Sequence, residues 1–122
     1  MARVLIIDDN RLLRRMMVRV LTSLGHEVAE ARDGEEGLKT FRMHRPALVI
    51  TDIVMPRQEG FQTIRELRGE APSVAIIAVS GGGRERTPMF LIDAGRIGAD
   101  GTLSKPFRPD ELIRMVNKLL LP

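Results

Sequence analysis

Short apolar runs alternate along this chain with segments whose apolar positions recur every three or four residues. The first kind predicts buried strands and the second amphipathic helices. Residues 3–8 read as a buried strand. Leu13, Met16, Met17, Val20, Leu21 and Leu24 then recur at helical spacing, with Gly25 as the stop. Val28 to Ala31 is a weaker, partly polar strand suited to a sheet edge. Asp33 and Glu36 have capping-box spacing and open a helix carrying Leu38 and Phe41, which Arg45-Pro46 breaks before a strand over 47–52. A loop at Met55-Pro56 precedes a helix with Phe61, Ile64 and Leu67 on one face, and Pro72 ends it. A strand over 74–79 follows, and Thr87-Pro88 predicts a helix over about 88–94 closed by Gly95. A short strand over 101–104 leads to a last helix, started by Pro109 and carrying Leu112, Met115, Val116, Leu119 and Leu120.

Five strands alternating with five helices predict an α/β fold, a parallel sheet covered on both faces. The chain contains no repeat, linker or low-complexity stretch, so residues 1–122 are expected to form a single domain. Composition narrows the function classes. Cysteine is absent, which removes disulfides and thiolate chemistry. No apolar run is long enough for a membrane span and no leader pattern opens the chain, so a cytoplasmic protein with no membrane partner is expected. A net charge of +3 is a weak basic excess, and four Phe with no Tyr or Trp supply a poor stacking platform. Direct nucleic-acid binding is not expected.

Polar residues sit where the apolar runs end. Asp8-Asp9 closes the first strand, Asp52 the third, Ser80 the fourth and Lys105-Pro106 the fifth. Strand C-termini of a parallel sheet open on one edge, where ligand sites form. Carboxylates gathered there suit Mg²⁺, which takes hard oxygen ligands and keeps several waters. The plainer reading of Asp9-Asn10 is a helix cap, and that of Asp52 a turn before a proline loop. As chemistry, a carboxylate can attack a phosphoryl group to give an acyl phosphate. A hydroxyl and an ammonium beside it would bind the oxyanion.

Together these stretches resemble the receiver domains of two-component response regulators. The matching segments are Val4-Leu5-Ile6-Ile7-Asp8-Asp9-Asn10, Asp52-Ile53-Val54-Met55-Pro56 with Gly60, Val79-Ser80-Gly81, and Gly98-Ala99-Asp100-Gly101 through Lys105-Pro106-Phe107. The resemblance implies a flavodoxin-like (βα)5 doubly wound sheet of strand order 2-1-3-4-5, an order for which a receiver is the standard illustration. It implies phosphorylation of Asp52 by a histidine kinase or phosphotransfer protein, with Mg²⁺ held by Asp8, Asp9, Asp52 and the carbonyl of Val54. Ser80 and Lys105 would contact the phosphoryl group, and a cis Lys105–Pro106 bond would direct the lysine. Such a chain is no enzyme beyond its own phosphorylation and autodephosphorylation. It switches between two states and signals through protein contacts, standing alone or as part of a longer regulator.

Two positions depart from the family pattern. Thr102 stands three before Lys105, where receivers that couple through an aromatic flip carry Tyr or Phe. Lys105 follows Ser80 by 25 positions, more than is usual, with Gly81-Gly82-Gly83 in the interval. Loop ordering in place of the aromatic flip is the expected readout. These departures keep one alternative open, a phosphorylation-independent interaction module of receiver fold. A haloacid-dehalogenase-like phosphatase would need a carboxylate where Val54 stands. Arg11, Arg15 and Arg19, with Arg14 beside them, read first as a solvated helix face and second as a docking stripe for a kinase or phosphotransfer partner. His26 and His44 lie beside turns, and the methionines read as core filler.

Overall fold

The computed structural model describes residues 1–53, 59–80 and 98–120. Five strands, β1 (Arg3–Ile7), β2 (Glu27–Ala31), β3 (Leu48–Asp52), β4 (Ala75–Ser80) and β5 (Gly101–Ser104), form one sheet of order β2-β1-β3-β4-β5, each neighbouring pair parallel. Four helices lie among the described residues: α1 (Arg11–Ser23), α2 (Gly34–His44), α3 (Glu59–Glu70) and α4 (Pro109–Leu120). The expected strands are all present, displaced at their ends by a residue at most. The helix expected over 88–94, the loop at Met55-Pro56, the glycine run and Val54 fall outside the described residues.

Because side chains alternate across a strand, each apolar run feeds two cores at once. Leu5, Ile7, Val49, Ile76 and Ala78 point to one side and pack with Phe41 of α2 and Ile64 and Leu67 of α3. Val4, Ile6, Leu48, Ile50, Ile77 and Val79 point to the other, against Met17 and Leu21 of α1 and Leu112 and Val116 of α4. Met16 and Met115 also pack there, as expected of filler, whereas Met1 and Met43 are exposed and fill no core.

Local chemistry sets the helix ends. Asn10 caps α1 by accepting the Leu13 N–H, and Asp33 caps α2 by accepting that of Glu36. The Glu36 carboxylate lies 3.2 Å from Arg32. Arg45 ends α2 in the left-handed region at φ 48°, its N–H donating to the Phe41 carbonyl. α2 packs so closely on β1 that a Cβ at Gly37 would come within 2.8 Å of Ile7 Cγ1, so only glycine fits.

At the N-terminal edge of the sheet, Arg68 of α3 donates to the carbonyls of Pro72, Val74 and Gly98 and pairs with Asp100 at 2.8 Å. Asp100 in turn accepts the Ile76 N–H. Gly98 has φ 119°, and a Cβ there would sit 3.2 Å from Arg68.

Candidate functional site: an acidic pocket at the C-terminal edge of the sheet

Register brings the strand-end polar residues level. Ile7 pairs with Thr51, so Asp8 follows β1 beside Asp52 at the end of β3. Asp52 pairs with Val79, and Ser80 stands one position further along β4, paired with Ser104. The Lys105 N–H then donates to the Ser80 carbonyl at 2.9 Å. Asp8, Asp52 and Lys105 continue the alternation of residues on the α1–α4 side of the sheet, which lets them converge. The Lys105–Pro106 peptide is cis.

The Lys105 ammonium lies 3.0 Å from Asp52 Oδ2, to which it donates, and 3.4 Å from Asp8 Oδ2. Asp8 and Asp52 are buried and Asp9 is exposed, and one carboxylate oxygen from each lies within 4.8 Å of the others. The helix-cap reading therefore falls to Asn10. Asp8 Oδ1 accepts the Asn10 N–H at 2.8 Å, leaving Asp8 Oδ2 buried with no hydrogen-bond donor among the described residues. The longer contact to Lys105 is an ion pair and not a hydrogen bond.

Burial raises the Asp8 pKa from 3.8 to about 6, with the neighbouring Asp52 adding to the rise. The Asn10 N–H and Lys105 oppose it. For Lys105, burial disfavours the charge, but the hydrogen bond and charge of Asp52, with Asp8 behind them, outweigh it and hold the ammonium above its ordinary pKa. Ser80 Oγ is a second buried polar atom without a partner among the described residues.

A buried carboxylate with a desolvated, donor-free oxygen is costly unless something positive joins it. Three carboxylates and one ammonium leave the pocket net negative, and its hard oxygen donors match a divalent cation of the Mg²⁺ type. The orphaned Ser80 hydroxyl offers a donor to an oxyanion at the same edge. The acidic pocket thus fits a metal ion, and the Asp52 carboxylate adjoins it.

Two residues of this neighbourhood carried no sequence signal. Arg14 is not part of a solvated stripe. It is half-buried, donates to the Asp8 carbonyl at 2.7 Å and pairs with Glu30 of β2 at 2.8 Å. Arg15 holds the other Glu30 oxygen at 2.9 Å, while Arg11 and Arg19 are exposed as expected. The hydrogen bond from Arg14, followed by the charges of Arg15 and Arg14, lowers the Glu30 pKa against a burial penalty. His26 and His44 lie at the opposite edge of the sheet. His26 Nδ1 accepts the Ala2 N–H, and the His44 carbonyl accepts from Arg3. Thr102 lines a shallow cleft on β5 with Leu103, Glu111, Arg114, Met115 and Lys118.

The response regulator receiver domain family model matches residues 4–117. The chain is 35% identical to the chemotaxis protein CheY of Thermotoga maritima over 118 residues, covering 96% of both chains. A crystal structure of NtrX from Brucella abortus superposes with a TM-score of 0.90 at 29% identity, over 98% of this chain and 27% of that one. The chemotaxis protein CheY4 of Vibrio cholerae superposes with a TM-score of 0.89 at 30% identity, over 98% of this chain and 99% of that one. Similar proteins thus include some of about this length and one in which the matching part is about a quarter of the chain.

Proposed function

This chain belongs to the response regulator receiver family, and from that premise we propose that Asp52 is its phosphoryl acceptor, with Asp8 and Asp9 holding Mg²⁺ beside it. The donor is a phosphohistidine on a histidine kinase or phosphotransfer protein. A carboxylate oxygen of Asp52 bonds to phosphorus as the P–N bond breaks, the electron pair leaving with the imidazole and the product being an acyl phosphate. Bound Mg²⁺ supplies charge neutralisation for the phosphoryl oxygens.

The residues of the chain do the positioning. Lys105 holds Asp52 by the 3.0 Å bond and is near enough to pair with a phosphoryl oxygen once that carboxylate is phosphorylated. The Ser80 hydroxyl, without a partner among the described residues, donates to a second oxygen. The Val54 carbonyl completes the ligand set proposed for the metal. Phosphorylation shifts a two-state equilibrium, and the output passes through protein contacts in the cytoplasm. The observation that carries this reading is the convergence of Asp8, Asp9, Asp52 and Lys105, with two buried polar atoms, Asp8 Oδ2 and Ser80 Oγ, that have no hydrogen-bond partner among the described residues.

Intact-mass spectrometry after incubation with acetyl phosphate tests it. The expected result is a gain of one phosphoryl group that requires Mg²⁺ and vanishes in Asp52→Ala. A gain that persists in Asp52→Ala would move the acceptor elsewhere. No gain from either acetyl phosphate or a phosphohistidine donor would leave an interaction module of receiver fold.

A further inference from the structure

The acidic pocket is tied to an edge strand through a side chain that grips the backbone of the cation site and not its carboxylates. The carbonyl of Asp8 belongs to the peptide that joins the two adjacent aspartates, and it lies past the last ladder position of β1. Arg14 fills that vacant acceptor at 2.7 Å from the first turns of α1. The other edge of the same guanidinium is taken by Glu30 at 2.8 Å. A planar fork with both sides occupied has little freedom to turn.

A peptide unit is rigid and planar, so fixing its oxygen also fixes the direction in which the next Cα leaves. Asp8 is already held at two other points, its N–H on the Ala31 carbonyl and its Oδ1 on the Asn10 N–H. What these leave undetermined is the tilt of the Asp8–Asp9 peptide, and on that tilt depends where the exposed Asp9 carboxylate sits relative to Asp8 and Asp52. We infer that Arg14, braced by Glu30, is a positioning residue that sets this tilt and thereby the affinity of the pocket for a divalent cation. Arg15 shares Glu30 from the solvent side but does not reach the Asp8 carbonyl, which makes it the natural control.

This inference rests on the reading of the pocket as a cation site, and calorimetric titration with MgCl₂ separates the two. Partners of metal ligands typically contribute about 10–100-fold to metal affinity. Arg14→Ala is expected to bind Mg²⁺ about tenfold more weakly than wild type, at the low end of that range. Arg14→Lys should recover part of the loss, and Arg15→Ala should match wild type. Glu30→Gln should weaken binding less than Arg14→Ala and add nothing to it in the double variant, because Glu30 acts only through Arg14.

Wild-type affinity in Arg14→Ala, or additive losses in the double variant, would overturn the positioning role while leaving the cation site intact. No binding by wild type would overturn both. Circular dichroism without Mg²⁺ checks that each variant folds. Should Arg14→Ala fail to fold, Arg14→Gln and Glu30→Gln read the same relay. A fall in melting temperature at unchanged Mg²⁺ affinity would assign Arg14 a structural role only and defeat the inference.

Discussion

At the level of single residues, Asp8 is a buried carboxylate whose charge is costly in this fold. Its folded-state pKa is raised to about 6, above an unfolded value of 3.8. Between those values the folded protein binds more protons than the unfolded one, so stability falls as pH rises. The contribution is fully present below about 3.8 and is lost as pH rises through about 6. In metal-free protein, Asp8→Asn should flatten that slope and stabilise the fold at pH 7 by roughly 1–3 kcal/mol, read from urea melts in EDTA. The amide oxygen of the introduced asparagine can still accept the Asn10 N–H, so the turn survives. Equal stability of variant and wild type at pH 7 would mean that Asp8 is not strained in the apo state. The site residues were legible in sequence because each is polar where a run of apolar residues stops. Arg14 and Glu30 were not legible. An arginine on a helix and a glutamate on an edge strand are ordinary solvent-facing choices, and only the packing of α1 beside β2 makes them partners across sixteen positions.

At the level of elements, periodicity served well because a two-faced parallel sheet demands continuous apolar strands while its covering helices need one apolar face. Terminal residues were less secure, since ladder bonds and not composition decide where a strand stops; the strand expected over 74–79 runs from Ala75 to Ser80. Tertiary contact also overrules helix propensity at Gly37. Gly→Ala in a helix interior ordinarily gains about 1 kcal/mol. Here the new methyl would collide with Ile7, which is fully buried and has no room to retreat. Overpacking of this kind costs about 1–3 kcal/mol, so Gly37→Ala should destabilise the protein on balance. Denaturant melts test the sign, and a stabilised variant would show that α2 can lift from β1 cheaply.

For the whole molecule, the family match and the sheet order agree with what the motif order implied, while the helix expected over 88–94 and Val54 lie outside the described residues. If the pocket takes Mg²⁺, the cation stabilises the native state by mass action, about 2.7 kcal/mol at a concentration one hundred times Kd. For a domain of this size that corresponds to a rise in Tm of about 10 °C. The same addition should leave Asp8→Asn unmoved, a comparison that scanning calorimetry makes directly. A matching rise in the variant would place the stabilising ion elsewhere.

Arg68 also anchors the chain ahead of β5. Ser80 is fixed by β4, and Gly98 is fixed by a guanidinium that also holds the carbonyls of Pro72 and Val74 and, through Asp100, the start of β4. The chain between them joins two points that the sheet and Arg68 hold in place. The long spacing from Ser80 to Lys105 is then compatible with undisturbed spacing between the hydroxyl and the ammonium that it separates in sequence.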